Sequence, residues 1–213
     1  MVPALTLHPH RLLPTDPAVR RLAGELYGSV RGLPIISPHG HVPARWLADD
    51  VPFADPTSLL ITPDHYVNRL LHAHGIGLEQ LGVAQQDFDE QASRQAFRLL
   101  CEHWSIYRGT PVRYWLDAQL SEIFGVTVRP SADTADQIYD QIAGCLATPE
   151  FRPRALFGRF GIDVLATTDD PCDDLGDHRR LAADPNRSGR VVPTYRPDRY
   201  LEPFSLTWNR DVQ

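Results

Sequence analysis

His39 and His41 are the residues of this chain whose type and spacing best suit chemistry. They follow Leu33-Pro34-Ile35-Ile36-Ser37-Pro38, in which two β-branched residues between prolines read as a short, fully buried strand ending in punctuation. Side chains alternate along extended backbone, so His39 and His41 face one side while Gly40 adds no bulk between them. Two neutral imidazoles so placed can share one divalent cation if the open positions are filled from elsewhere. A hydrogen-bonded loop pair is the alternative.

Spacing alone does not select this pair. With 9 His in 213 residues, roughly 0.4 His-x-His pairs arise by chance, whereas the chain has His8/His10, His39/His41 and His72/His74. His72 and His74 fall in a helix-like run, where a two-residue step turns about 200° and separates the rings. His8 and His10 bracket Pro9 with no strand before them. His39 and His41 stand at a strand's carboxyl end, where parallel α/β proteins carry function.

The composition narrows the classes. A hydrophobic content of 42% and a charged content of 23% are ordinary for a globular protein, and 213 residues suffice for one domain or two small ones. A net charge of −6 argues against a nucleic-acid partner. All 21 basic residues are arginines, which excludes a Schiff-base or P-loop lysine in this segment and leaves carboxylate recognition to the planar guanidinium fork. Cys101, Cys145 and Cys172 are odd in number and widely spaced, so we expect buried thiols rather than a disulfide framework or a cysteine zinc site. Met1 to Arg20 shows no signal-peptide pattern and no run approaches a membrane span, so the expectation is a cytoplasmic protein without a membrane partner.

The elements that must position the histidines can be read in order. Asp16-Pro17 predicts a capped helix carrying Val19, Leu22, Leu26 and Val30, which leads into the strand. Thr62-Pro63-Asp64-His65-Tyr66 repeats the cap-then-proline signature, with Gly75 as the stop. Phe97, Leu100, Trp104 and Tyr107 make one apolar face. Further helices start at Thr110-Pro111, near Thr134 with Gln137 completing a capping box, and at Thr148-Pro149, the last closing at Gly161. Asp163 to Asp169 and Arg190 to Arg196 then read as two more buried strands, separated by a helical pattern from Leu175 to Ala183. Helix then strand, twice, is the rhythm of a parallel α/β fold. Three domains are expected: 1–41 with the first helix and strand, 42–161 as a helical insertion too long for a crossover, and 162–213 with the other two strands. The tail from Pro203, with Trp208 and Asn209, continues no pattern. An open three-stranded layer and the front part of a (β/α)8 barrel both satisfy this strand count; we expect the second.

Several stretches taken together resemble the uronate (glucuronate) isomerases of the metal-dependent amidohydrolase superfamily. They are Pro34 to His41, Thr62 to Tyr66, Phe151 to Phe157, Ala166-Thr167-Thr168-Asp169-Asp170-Pro171, and Pro193-Thr194-Tyr195-Arg196-Pro197-Asp198. The resemblance runs in order from about Leu5 to Arg199. It implies a (β/α)8 barrel with a helical insertion after the first strand, and an aldose-ketose isomerisation of D-glucuronate to D-fructuronate and D-galacturonate to D-tagaturonate. It also implies a divalent metal, usually zinc, on His39 and His41, and catalytic and substrate-binding roles for Tyr66 and Arg196.

The chemistry agrees with these roles. Moving hydrogen between C2 and C1 passes through an enediolate, which needs a base, an acid and an electrophile. Arg196 would clamp the uronate carboxylate, or else pair with Asp198 at a barrel rim. Tyr66 would donate to a sugar oxygen, or else pack in a helix stripe with Leu70. Asp169 and Asp170 read as turn or cap residues before catalytic ones. The resemblance implies a chain roughly twice this length, with a further metal-binding aspartate on the last strand, so the sequence is expected to be a front portion with doubtful activity by itself. Two rivals remain: a metal-dependent hydrolase of the same superfamily, and a non-catalytic truncated chain that forms a homo-oligomer through unpaired strand edges.

Overall fold

Short acidic side chains set the helix starts in the computed structural model, which describes residues 4–204, 206 and 208–211. Asp16 Oδ1 accepts from the amides of Ala18 and Val19, both at 2.9 Å, and opens α1 (Pro17–Val30). Asp55 caps α3 (Pro56–Leu60) through the amides of Thr57 and Ser58, and Asp89 caps α5 (Glu90–Glu102) through that of Ala92. Each carboxylate satisfies donors that a first helical turn leaves unpaired.

Three helix starts differ from expectation. The segment after Thr148-Pro149 makes only a 3-10 turn, Pro149–Phe151, and the α-helix there, α8 (Pro153–Arg159), begins behind the extended Arg152. In α4 (His65–Ala73) the cap is Asp64, which accepts from Tyr66 and Val67, so Pro63 precedes the cap instead of occupying the first turn. Before α7 (Ala135–Leu146), Ser131 and Thr134 cap each other around a 3-10 turn, and Thr134 makes no side-chain cap to α7 itself.

The chain forms two compact units, Met1–Val30 with Pro52–Phe151 and Arg31–Val51 with Arg152–Gln213. The division differs from the three sequence segments: residues 42–51 and 152–161 group with the strands, and the first helix groups with the insertion. The reason is that α2 (Ala44–Asp49) and α8 (Pro153–Arg159) pack beside the sheet, although their sequences read as more insertion helix.

In the helical unit, Phe97 and Leu100 of α5 continue the expected stripe into a 3-10 turn, Trp104–Tyr107, and Phe97, Leu100, Trp104 and Tyr107 are all buried. Val112 and Leu116 of α6 (Pro111–Ala118) and Ile138 and Ile142 of α7 complete the same core. Some polar groups within it are paired, whereas Trp104 Nε1 and Asn68 Oδ1 are buried without a hydrogen-bond partner among the described residues. Ser93 Oγ donates to Asp55 Oδ1 at 2.6 Å and lies 2.9 Å from Tyr139 Oη. Tyr107 Oη donates to the Val67 carbonyl at 3.0 Å, and burial raises its phenol well above the usual value. Burial likewise pushes the Cys101 thiol up to about 12. The stripe of α1 behaves otherwise, since Val19, Leu22, Leu26 and Val30 are all exposed. Spacing and a cap define a helix, but burial needs a partner surface.

The second unit is a parallel sheet in the order β1-β2-β3, formed by β1 (Ile35–Ser37), β2 (Ile162–Asp169) and β3 (Arg190–Tyr195). Its core is Ala44, Leu47, Phe157, Leu165 and Leu181, the last on α9 (Gly176–Ala183). Arg154 ties the unit together: its Nε donates to the Leu47 carbonyl at 2.7 Å, its guanidinium pairs with Asp184, and its backbone N–H donates to Asp50 Oδ1 at 2.9 Å. Much of the motif Phe151 to Phe157 is thus architectural. The expectation that the first and third strands are fully buried fails. Ile36 is 68% exposed and Tyr195 80%. Both strands are edges with one described neighbour each, and although Val191 of β3 packs on the sheet core, Ile36 and Tyr195 face solvent. In the tail, residues Trp208–Asp211 form one short helix, α10; Ser205, Thr207, Val212 and Gln213 lie outside the described residues.

Candidate functional site

β1 ends at Ser37, and the chain then turns His39 and His41 toward each other. Their Nε2 atoms are 3.1 Å apart, with the rings nearly perpendicular at 87°. Two contacts hold the loop. Ser37 Oγ donates to the His39 carbonyl at 3.0 Å, and Thr168 Oγ1, on β2, donates to the Gly40 carbonyl at 2.7 Å. Gly40 makes this approach easy, because a Cβ there would stand 3.3 Å from the Ala166 carbonyl oxygen and 3.4 Å from Leu165 Cδ1, a tight fit for any side chain.

Two imidazole nitrogens this close either share one proton in a hydrogen bond or turn both lone pairs on one cation. Bonds of about 2.0–2.1 Å at a tetrahedral centre place two nitrogens roughly 3.3 Å apart, so the pair fits half of such a ligand set. Among the described residues, no group of three His, Cys, Asp or Glu side chains completes it. The other His-x-His pairs are occupied locally: His72 Nδ1 contacts the Ile76 carbonyl at 3.0 Å, and His8 Nδ1 accepts from the His10 amide at 3.1 Å.

A cavity of about 340 Å³ opens at the carboxyl ends of β1 and β2, lined in part by His41, Arg45, Asp169 and His178. Asp169 is not a simple turn residue. Its Oδ2 accepts from Thr167 Oγ1 at 2.6 Å, and Thr167 Oγ1 lies 2.8 Å from His178 Nε2. Asp170 is one: Oδ1 accepts from the Cys172 amide at 2.9 Å, while Tyr200 Oη and Arg199 also bind its carboxylate. These contacts, the Tyr200 hydroxyl first, hold its carboxyl below the ordinary range.

The other two expected site residues are each engaged by partners of their own. Arg196, just past β3, donates from Nε to Asp198 Oδ2 at 2.7 Å, the rim ion pair that competes with a ligand carboxylate. Tyr66 belongs to the helical unit, where it is 40% exposed, packs edge-on to Trp115 and carries the Arg69 guanidinium over its ring at 4.8 Å. Thr167, Thr168 and His178 were missed from sequence. Thr167 and Asp169 share one strand face by their spacing, which was a usable signal; nothing in the sequence brings His178 to them.

The glucuronate isomerase family model matches residues 18–208. The chain is 60% identical over 206 residues to the uronate isomerase of Cutibacterium acnes, covering 97% of this chain and 44% of that protein. It is 49% identical to the uronate isomerase of Corynebacterium efficiens, covering 94% of this chain and 43% of the relative. The crystal structure of glucuronate isomerase from Caulobacter crescentus superposes with a TM-score of 0.91 at 41% identity, over 98% of this chain and 43% of that one. The uronate isomerase structure from Thermotoga maritima gives a TM-score of 0.83 at 26% identity, over 97% of this chain and 43% of that one. The chain therefore spans less than half the length of the relatives it matches. Its three parallel strands, with a helical insertion after the first, are the front part of a (β/α)8 barrel. With the family match extending over nearly the whole sequence and the fold agreeing throughout, this chain belongs to the glucuronate isomerase family.

Proposed function

We propose that the chain supplies the first-strand half of a uronate isomerase active site, converting D-glucuronate to D-fructuronate and D-galacturonate to D-tagaturonate. The observation that carries this is the convergence of His39 and His41 Nε2 at 3.1 Å beyond β1, in a chain of the glucuronate isomerase family. In this reading the two imidazoles hold a divalent cation, zinc by the resemblance to the metal-dependent amidohydrolase superfamily. Bound there, such an ion supplies Lewis-acid polarisation of a sugar oxygen. Tyr66 donates a hydrogen bond to a sugar oxygen. Arg196 exchanges Asp198 for the uronate carboxylate, a planar two-point match that a lysine would not give. The protein works in the cytoplasm, a reading supported by unpaired thiols at Cys101, Cys145 and Cys172; no helix among the described residues is long and apolar enough to cross a membrane.

The test is zinc binding and uronate turnover by the 213-residue chain and by a version extended to the length of its relatives. Turnover by the extended protein, with zinc binding and activity both lost in a His39→Ala/His41→Ala variant, is the expected result. Turnover of an ester or lactam instead of a uronate would favour the hydrolase reading. A second reading, self-association of this chain, is favoured by the exposure of Ile36 and Tyr195 on the edge strands; sedimentation as a monomer would remove it.

A further inference from the structure

The cavity beside His41 contains several carboxylates, but their commitments differ. Asp173 Oδ2 accepts from the Asp170 amide, Asp174 Oδ1 from the Gly176 amide, and Asp177 pairs with Arg180. Asp169 is held from one side only. Its Oδ2 takes the Thr167 hydroxyl at 2.6 Å, and its Oδ1 has no partner among the described residues.

The hydroxyl of Thr167 carries a single proton and faces three neighbours: Asp169 Oδ2 at 2.6 Å, His178 Nε2 at 2.8 Å and the Val192 carbonyl at 3.2 Å. A carboxylate accepts and does not donate, and the shortest contact has the length of a charge-assisted bond, so the proton points at Asp169. His178 Nε2 must then donate to Thr167. The result is a directed chain from His178 Nε2–H through Thr167 Oγ1–H to Asp169 Oδ2. Thr167 is 1% exposed and His178 9%, which keeps water from competing for either bond. The imidazole and carboxylate, 3.7 Å apart, do not replace the hydroxyl between them.

We propose that Asp169 is a substrate-binding carboxylate whose free Oδ1 accepts hydrogen bonds from sugar hydroxyls in this cavity, and that Thr167 and His178 are its positioning residues. The proposal rests on the uronate reading above for the class of sugar. Arg45 lines the same cavity and makes no ion pair or hydrogen bond among the described residues. The cavity thus offers a fixed acceptor for sugar hydroxyls beside a guanidinium donor for sugar oxygens, which leaves the uronate carboxylate to Arg196.

The experiment titrates D-glucuronate, and separately D-glucose, into the 213-residue chain while following backbone amides from Thr167 to His178 and the ring nitrogens of His178 by NMR. Saturable shifts with D-glucuronate, weakened about tenfold or more in Asp169→Asn and in Thr167→Val and restored to within a few-fold in Thr167→Ser, are expected. The His178 ring should be protonated on Nε2 in the parent and in Thr167→Ser, and should lose that preference in Thr167→Val. In the extended enzyme, Asp169→Asn should raise KM more than it lowers kcat. The proposal is overturned by Asp169→Asn binding as the parent does, by absence of any saturable shift in the parent, or by a His178 ring protonated on Nδ1 with Thr167 intact. Failure of the uronate reading looks different: D-glucose and D-glucuronate then shift the same residues equally, with the dependence on Asp169 preserved.

Discussion

The two units of this chain solve the same problem with different success. In the helical unit, Phe97, Leu100, Tyr107, Ile138 and Ile142 pack against one another and each is at most 2% exposed. In the sheet unit, the described core is Ala44, Leu47, Phe157, Leu165 and Leu181, while Ile36 and Tyr195 on the edge strands face outward. Helices bury a stripe against their sequence neighbours, but a parallel sheet needs covers on both faces and a neighbour at each edge. A local core can close within a segment; a barrel core cannot.

The largest expected effect is in the helical core. Phe97→Ala should destabilise that unit by about 3–5 kcal/mol, since it removes a fully buried ring and leaves a cavity; urea unfolding followed by far-UV circular dichroism would measure it. A loss below about 1 kcal/mol would show that this core is as loosely packed as the sheet.

Next in size is Asp55→Ala, which removes two N-cap bonds of α3 and the acceptor of Ser93 Oγ together. The expected loss is about 2 kcal/mol, and Asp55→Asn should recover part of it. Equal losses from the two substitutions would mean that the charge matters and the cap geometry does not.

Acid should open the sheet unit first. Asp184 lies below the ordinary carboxylate range, chiefly through the Asn186 amide and then through Arg154, and Asp170 through Tyr200. A carboxyl depressed in the folded state contributes stability that is present above its unfolded value, near 4, and is lost as pH falls through its native pKa. Amide exchange at about pH 5 and pH 3 should therefore accelerate in β2 and α9 before α5 and α7. Simultaneous opening would argue that the two units unfold as one.

The smallest effect belongs to the exposed edge. Ile36→Ser should change the stability of the chain by no more than about 0.5 kcal/mol, because a side chain already facing solvent loses little burial. Cysteine labelling gives a probe-level version of the same contrast. Exposed Cys172 should react with a thiol reagent in the folded protein, whereas buried Cys101, its thiol pushed up to about 12, should react only on unfolding.

Much of this was legible in the sequence, because its signals are local. Asp16, Asp55 and Asp89 start helices through bonds that span three residues or fewer, and Phe97, Leu100, Trp104 and Tyr107 form one buried stripe by spacing alone. The His39/His41 pair was visible for the same reason, since a two-residue step in extended backbone points both rings one way. Tertiary structure decided what joins distant positions. It brought His178 of α9 to Thr167 and Asp169 of β2, set Gly40 against Ala166, and left Ile36 exposed where the sequence read burial. Periodicity reports which face of an element is apolar. Whether anything covers that face, and which side chains meet across it, depends on neighbours that only the folded chain supplies.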